Sequence, residues 1–205
     1  MRVLFQGDSV TDAERDRNDF YGYGDGYVKY VIDELKDVYP EVEFVNRGVS
    51  GDRTTELLER MDKDIIDLNP DIVTILIGVN DTLLRFEKND PTSPEEFRDR
   101  YETILKAIKE KTNAKIVMIE AFLIYGMGKE EFREDLNAKI DETRKLAVKY
   151  ADKYIPLNGL LAKALVGEDA LEPVELSADG IHPAEAGKAL IADYVSEALV
   201  ELFEE

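Results

Sequence analysis

Five short apolar runs alternate with longer amphipathic stretches along these 205 residues. The runs are RVLFQ (2–6), VEFVN (42–46), IVTILIG (72–78), KIVMIEA (115–121) and KYIPL (153–157). Each is rich in Val and Ile, and Gly, Asn, Asp or Pro sits at its borders, which marks strands. Their near-continuous apolarity suits a parallel sheet buried on both faces. The intervening patterns are helical. Residues 27–39 place Val28, Val31, Ile32 and Leu35 on one face, and residues 53–68 do the same with Leu57, Leu58, Met61, Ile65 and Ile66. SPEEF opens another helix, with Ser93 as N-cap, Pro94 at N1 and Glu96 closing a capping box. Residues 130–151 and 183–203 complete the set. The resulting β-α repeat predicts an α/β chain: a three-layer α/β/α sandwich on a five-stranded parallel sheet, with right-handed crossovers. No repeat, low-complexity block or linker divides residues 1–205, so one domain is expected.

Composition narrows the chemistry. Cysteine is absent and there is one histidine, which excludes disulfides and thiolate nucleophiles and argues against a zinc site. The net charge of −19 repels phosphate backbones and anionic lipid surfaces, leaving a neutral small molecule as the best-suited partner. No apolar run reaches the roughly 18–20 residues of a membrane span. The start MRVLFQGDS enters a strand without a signal-peptide pattern, which points to a cytoplasmic protein. The Glu-, Lys- and Ala-rich helices without Trp or Cys suit a thermophile or an idealised sequence. A homo-oligomer is compatible with all of this.

Ligands of such sheets bind outside the carboxyl ends of the strands, so the residues after each strand matter most. GDSVTD follows the first, NRGVSGDRT the second and GVNDT the third, and the last strand-to-helix region ends in SADGIHP. Of the five serines, Ser93 reads as a cap, Ser196 lies in the last helix and Ser177 is close to His182 in sequence. Ser9 and Ser50 remain as nucleophiles, both in glycine-bearing loops after strands. Activation of a serine requires a base, and only His182 is available. Asp179 stands three residues earlier, where one turn brings its carboxylate onto Nδ1. Pro183 marks the start of the final helix and places His182 near the positive helix end. For a developing oxyanion the GVSGDRT loop offers a backbone N–H, with Gly51 letting the substrate approach closely, and GVND offers the side-chain amide of Asn80, each donor contributing about 2.7–4 kcal/mol. Turn and capping roles account for each of these motifs taken singly. An α/β-hydrolase is not supported, since the G-x-S-x-G elbow is absent.

Taken in order, GDS at Ser9, VSGDRT at Gly51, GVND at Asn80 and DGIHP at Asp179 and His182 resemble the four blocks of the GDSL/SGNH hydrolase family. The resemblance implies a flavodoxin-like sandwich and a serine esterase that uses no cofactor or metal. It assigns Ser9 as nucleophile, His182 as general base and acid, and Asp179 as its orienting partner. The backbone N–H groups of Ser9 and Gly51 and the side chain of Asn80 would form the oxyanion hole. The stretches LFQGDSVTDAERDRND, YGYGDGYVKYV, NRGVSGDRT, IGVNDTLLRFEKNDPTSPEEF and ADGIHPAEAGKALIA resemble the bacterial acetylxylan esterase-like carbohydrate-esterase branch. That branch implies deacetylation of a small sugar ester. Short lipid or aryl esters, as for a lysophospholipase, are the alternative within the family. A non-catalytic scaffold, or a phosphate-ester binder using GVSGDRTT as an anion nest, stands outside it.

Relatives in that branch carry aromatic residues, often Trp, near the site, where this chain reads TLLRF and VELSAD. Tyr21, Tyr23, Phe86 and Tyr125 are the candidates to replace a lost indole platform. Arg53 beside Gly51 is placed either to contact substrate oxygens or to pair with an acidic neighbour. FLIYGMG (122–128) reads equally as a lid or a structural loop. The charges from Glu130 to Asp135 read as a solvated face.

Overall fold

Each of the five apolar runs is a strand, and together they make one fully parallel sheet in the order β2-β1-β3-β4-β5. The computed structural model describes all residues from 1 to 205. The strands are β1 (Arg2–Gly7), β2 (Glu43–Asn46), β3 (Ile72–Leu76), β4 (Lys115–Ile119) and β5 (Lys153–Ile155). The order reverses direction between β1 and β3, the switch point of a flavodoxin-like sheet.

The period-two pleat sorts side chains between two helical layers. Val3 and Phe5 of β1 and Val117 and Ile119 of β4 pack with α2 (Tyr27–Leu35) and α9 (Glu185–Phe203). Leu4, Ile116 and Met118 face the other way, against α3 (Thr54–Met61) and α5 (Pro94–Lys111). Apolar burial on this scale, at roughly 1.5–3 kcal/mol per large side chain, drives the layered assembly. Helix α6 (Arg133–Tyr150) flanks α5, and its Leu146 joins the same cluster.

Three boundaries differ from the sequence expectation. The apolar runs outlast the sheet: Ile77, Ala121 and Leu157 are buried but unpaired, and Leu157 begins a helix, α7 (Leu157–Lys163). Burial, not strand pairing, accounts for their apolarity. The 53–68 segment is α3 followed by a π-helical turn, Asp62–Ile66. The final helix starts at Glu185 instead of Pro183, because Pro183 is held in an antiparallel bridge with Ser177. Consequently His182 lies on a loop three residues ahead of the helix and not next to its first residue.

Three further helices are short or unanticipated: α1 (Ser9–Asp12), α4 (Val79–Lys88) and α8 (Pro173–Leu176). The charged segment 130–135 is not uniformly solvated either. Asp135 is buried between Arg85 and an equally buried Lys139. No helix is long and apolar enough to cross a membrane.

Candidate active site

Strand β1 delivers its chain end to a tight turn in which Asp8 caps α1, accepting the Val10 N–H at 3.0 Å. Gly7 has no room for a side chain, since a Cβ there would lie 2.4 Å from the Leu76 carbonyl of the neighbouring strand. Ser9 is therefore the first residue of a helical turn pressed against the sheet edge. Its Oγ lies 2.9 Å from Nε2 of His182. On the far side of the imidazole, Nδ1 lies 2.6 Å from Oδ2 of Asp179. Three residues 170 or more positions apart at the extremes thus form one hydrogen-bonded line.

The loop holding Asp179 and His182 closes on itself. The other carboxylate oxygen of Asp179 accepts the N–H groups of Ile181 and His182 at 2.9 and 2.8 Å. Ser177, fully buried, donates to the His182 carbonyl at 2.7 Å and accepts the Gly180 N–H at 2.9 Å. It braces the loop and lies away from the nucleophile position. Burial opposes ionisation of Asp179, but the hydrogen bonds from the His182 ring and from two backbone N–H groups outweigh it. Its pKa is pulled down to about 2.

Opposite the Ser9–His182 line stands the loop after β2. Gly51 adopts φ +89°, a left-handed conformation that L side chains rarely tolerate. A side chain at Gly51 would meet open space, so the backbone conformation alone calls for glycine there. Its neighbours are tied down: the Ser50 N–H donates to Asp12 at 2.8 Å and the Asp52 N–H to the Val49 carbonyl at 3.2 Å. The N–H groups of Ser9 and Gly51 take no protein acceptor. Asn80, on the first turn of α4, donates one amide N–H to the Asp52 carbonyl at 2.9 Å, which leaves its second N–H free. All five residues singled out by the sequence, Ser9, Gly51, Asn80, Asp179 and His182, meet at this edge.

Several carboxylates that the sequence does not single out support it. Asp81 is fully buried and accepts both the N–H and the hydroxyl of Thr54, at 3.0 and 2.7 Å. Burial lifts its pKa to about 6. Asp52 pairs with Arg60, which also donates to the carbonyls of Arg47 and Gly7. Burial lifts Asp8, beside the nucleophile, to about 7, against the pull of the Val10 N–H and the His182 charge. Arg53 pairs with Glu56 and Asp90 and so has an acidic partner on each side. The one signal available for these residues is the clustering of Asp next to each motif, in GDSVTD, SGDRT and GVND.

A cleft of about 720 Å³ opens from Ser9 and His182 towards the α1–α2 loop and the start of α9. Asp12, Glu14, Arg17, Asp25 and Lys188 line it, and few lining residues are hydrophobic. Its one aromatic, Tyr27, is buried. None of Tyr21, Tyr23, Phe86 or Tyr125 lines the cleft. Tyr21 instead bonds Glu43, and Phe86 stacks on Phe132. FLIYGMG is a structural loop: Phe122, Leu123 and Ile124 are buried, and the Ile124 N–H donates to the Gly180 carbonyl at 2.9 Å. No group of three or more His, Asp or Glu side chains is arranged to hold a metal ion.

Residues 5–190 match the family described as GDSL-like lipase/acylhydrolase. The chain belongs to that family. Among curated proteins it is 30% identical to an acetylxylan esterase from Geobacillus stearothermophilus, over 93% of this chain and 90% of that protein. A solved structure of an acetylxylan esterase from the same organism superposes with a TM-score of 0.83 at 29% identity, covering 94% of this chain and 90% of the other. A putative GDSL-like lipase from Parabacteroides merdae ATCC 43184 gives a TM-score of 0.88 at 30% identity, covering 96% and 94%. The protein is a carboxylic ester hydrolase with the GDSL/SGNH fold.

Proposed function

We propose that this GDSL hydrolase is a serine esterase that deacetylates a small carbohydrate ester, such as an acetylated xylo-oligosaccharide, through an acyl-enzyme. The observation that carries the reading is the line from Asp179 through His182 to Ser9, with unpartnered N–H groups at Ser9 itself and at Gly51, whose neighbour Ser50 borders the same cleft. In the first step Ser9 Oγ attacks the ester carbonyl carbon while its proton passes to Nε2 of His182. Asp179 keeps the Nδ1 proton in place and stabilises the imidazolium. The carbonyl oxygen becomes an oxyanion, which the N–H groups of Ser9 and Gly51 and the free amide N–H of Asn80 receive. Collapse expels the sugar oxygen, which takes the proton from Nε2. Water then repeats the sequence on the acyl-enzyme, giving acetate and regenerating Ser9.

The cleft favours a sugar over a lipid. A long acyl chain calls for a run of hydrophobic side chains, whereas only three of the fourteen residues lining this cleft are hydrophobic. Its cations are matched locally: Arg17 by Asp12, and Lys188 by Glu185 and Asp25 at 2.7 and 3.4 Å. A neutral, hydroxyl-rich ligand meets donors and acceptors there without leaving a charge unpaired. In the similar acetylxylan esterase, structures of catalytic mutants replace a serine, an aspartate or a histidine by alanine. This supports the same three roles for Ser9, Asp179 and His182.

The test is acetate release from acetylated xylo-oligosaccharides compared with short-acyl lipids, with the Ser9→Ala protein run in parallel on p-nitrophenyl acetate. The expected outcome is a preference for the sugar ester, abolished by Ser9→Ala. Equal rates for wild type and Ser9→Ala would overturn the serine mechanism, and a lipid preference would overturn the substrate.

A further inference from the structure

We infer that Asp12 is a positioning residue for the oxyanion hole, locking the Gly51 loop to the helical turn that carries Ser9. The inference rests on the serine-esterase reading above. Asp12 stands three residues after Ser9, on the same single turn α1, so the two move as one body. Its side chain is buried, and Oδ2 accepts the Ser50 N–H at 2.8 Å, one residue before the Gly51 donor. Arg17 also donates to Oδ2, while Oδ1 is buried without a hydrogen-bond partner and lies 3.9 Å from Nε of Arg15.

Arg15 completes the grip, donating from Nε to the Gly48 carbonyl at 3.0 Å. The fit leaves no slack. A Cβ at Gly48 would lie 2.4 Å from the Asp12 nitrogen, so the loop backbone rests directly on α1. Asn46 ties the same surfaces from below, donating to the Thr11 carbonyl at 2.6 Å and accepting the Gly48 N–H at 2.8 Å. An oxyanion donor works only when it sits about 2.7–3.1 Å from where the negative oxygen forms. That oxygen's place is set by Ser9, so a contact that fixes Gly51 relative to Ser9 controls the rate. Misplacement by about 1 Å costs on the order of 10²-fold.

The inference makes the acceptor's position decisive, where a structural ion pair with Arg17 would make its charge decisive. Asp12→Asn keeps an oxygen in place and loses the charge; Asp12→Glu keeps the charge and moves the oxygen. With p-nitrophenyl acetate, Asp12→Asn should retain kcat within about threefold, whereas Asp12→Glu should lose on the order of tenfold or more, with KM little changed. Asp12→Ala should lose about 10²-fold, and its combination with Asn80→Ala should cost clearly less than the product of the two single losses.

Wild-type kcat in Asp12→Glu, a loss in Asp12→Asn equal to that in Asp12→Ala, or full multiplication with Asn80→Ala would each overturn it. Circular dichroism and melting establish that each variant is folded. If Asp12→Ala does not fold, the Asn and Glu pair carries the test alone. Ser9→Ala in the same assay keeps the two claims apart: its retained activity sinks the esterase reading, whereas its loss beside an unresponsive Asp12 series sinks only the positioning role.

Discussion

The two halves of the site are held together in opposite ways. The histidine loop is built locally: Ser177, Asp179, Gly180, Ile181 and His182 bond one another within six residues. The side chains of Asp179 and His182 remain about half exposed. By contrast, the Gly51 loop is held from a distance by buried charges. Asp12 reaches it across 38 residues and Asp81 across 27, while Arg60 draws Asp52, the Arg47 carbonyl and the Gly7 carbonyl together. A base that must shift a proton to and fro can be organised by a short turn in contact with water. Oxyanion donors must not reorient while charge develops, and buried, multiply bonded supports supply that rigidity.

If this contrast is right, damage to the histidine loop should appear as lost rate, and damage beneath the Gly51 loop as lost stability together with rate. The largest effect belongs to Asp179→Asn. An amide donates where the carboxylate accepted, so the imidazole is held in the wrong tautomer, and kcat should fall about 10⁴-fold, or about 5 kcal/mol. Because the loop is exposed and its other bonds persist, the melting temperature should stay within about 2 °C. A large drop in melting temperature would show that the histidine loop is not locally supported.

Next comes Arg60→Leu, which strands the largely buried carboxylate of Asp52 and four further acceptors, on Gln6, Gly7, Arg47 and Asp64. Removing one partner of a buried pair costs roughly 3–5 kcal/mol. In a chain of this size that lowers the melting temperature by about 10 °C. Burial already raises the Asp52 pKa, with Arg60 opposing it. Without Arg60 the carboxyl should protonate more readily, so the loss should be smaller at pH 5 than at pH 8. An unaltered melting curve would mean that the loop does not depend on distant charges.

The same contrast explains which parts of the molecule were legible in the sequence. All five strands were, because apolar runs bounded by turn residues reflect burial on two faces; their ends were not, because Ile77, Ala121 and Leu157 are buried without being paired. Asp179 and His182 were legible since their interaction is written in a three-residue spacing. Asp12, Arg60 and Asp81 were not, since nothing in GDSVTD or GVND says which distant N–H each will meet. Helix α4 was hidden by its own start: GVND reads as an Asx-turn, although Val79 and Leu83 at i, i+4 and Asn89 in a left-handed C-terminal position mark a helix. Asn80 sits on that helix, and Asn80→Ala should lower kcat about 10²–10³-fold, some 3–4 kcal/mol of barrier, with KM little affected. A change confined to KM would assign it to ground-state binding instead.

The smallest effect, and the one that reaches beneath both halves, concerns Asp8. Its carboxyl is almost completely buried next to Ser9, and burial lifts its pKa to about 7 from an ordinary value near 4. Between those two values the folded protein holds a proton that the unfolded chain releases. The native state therefore loses stability as pH rises through this window, and the full cost applies above about pH 7. Asp8→Asn keeps an oxygen for the Val10 N–H and carries no charge at any pH. Against wild type it should melt a few degrees higher at pH 8, with the difference shrinking towards zero at pH 5. A gap of the same size at both values would mean that the Asp8 carboxyl ionises as freely in the fold as in water. The expected result would show that a charge is held beneath the nucleophile at a cost to stability, as active sites commonly do.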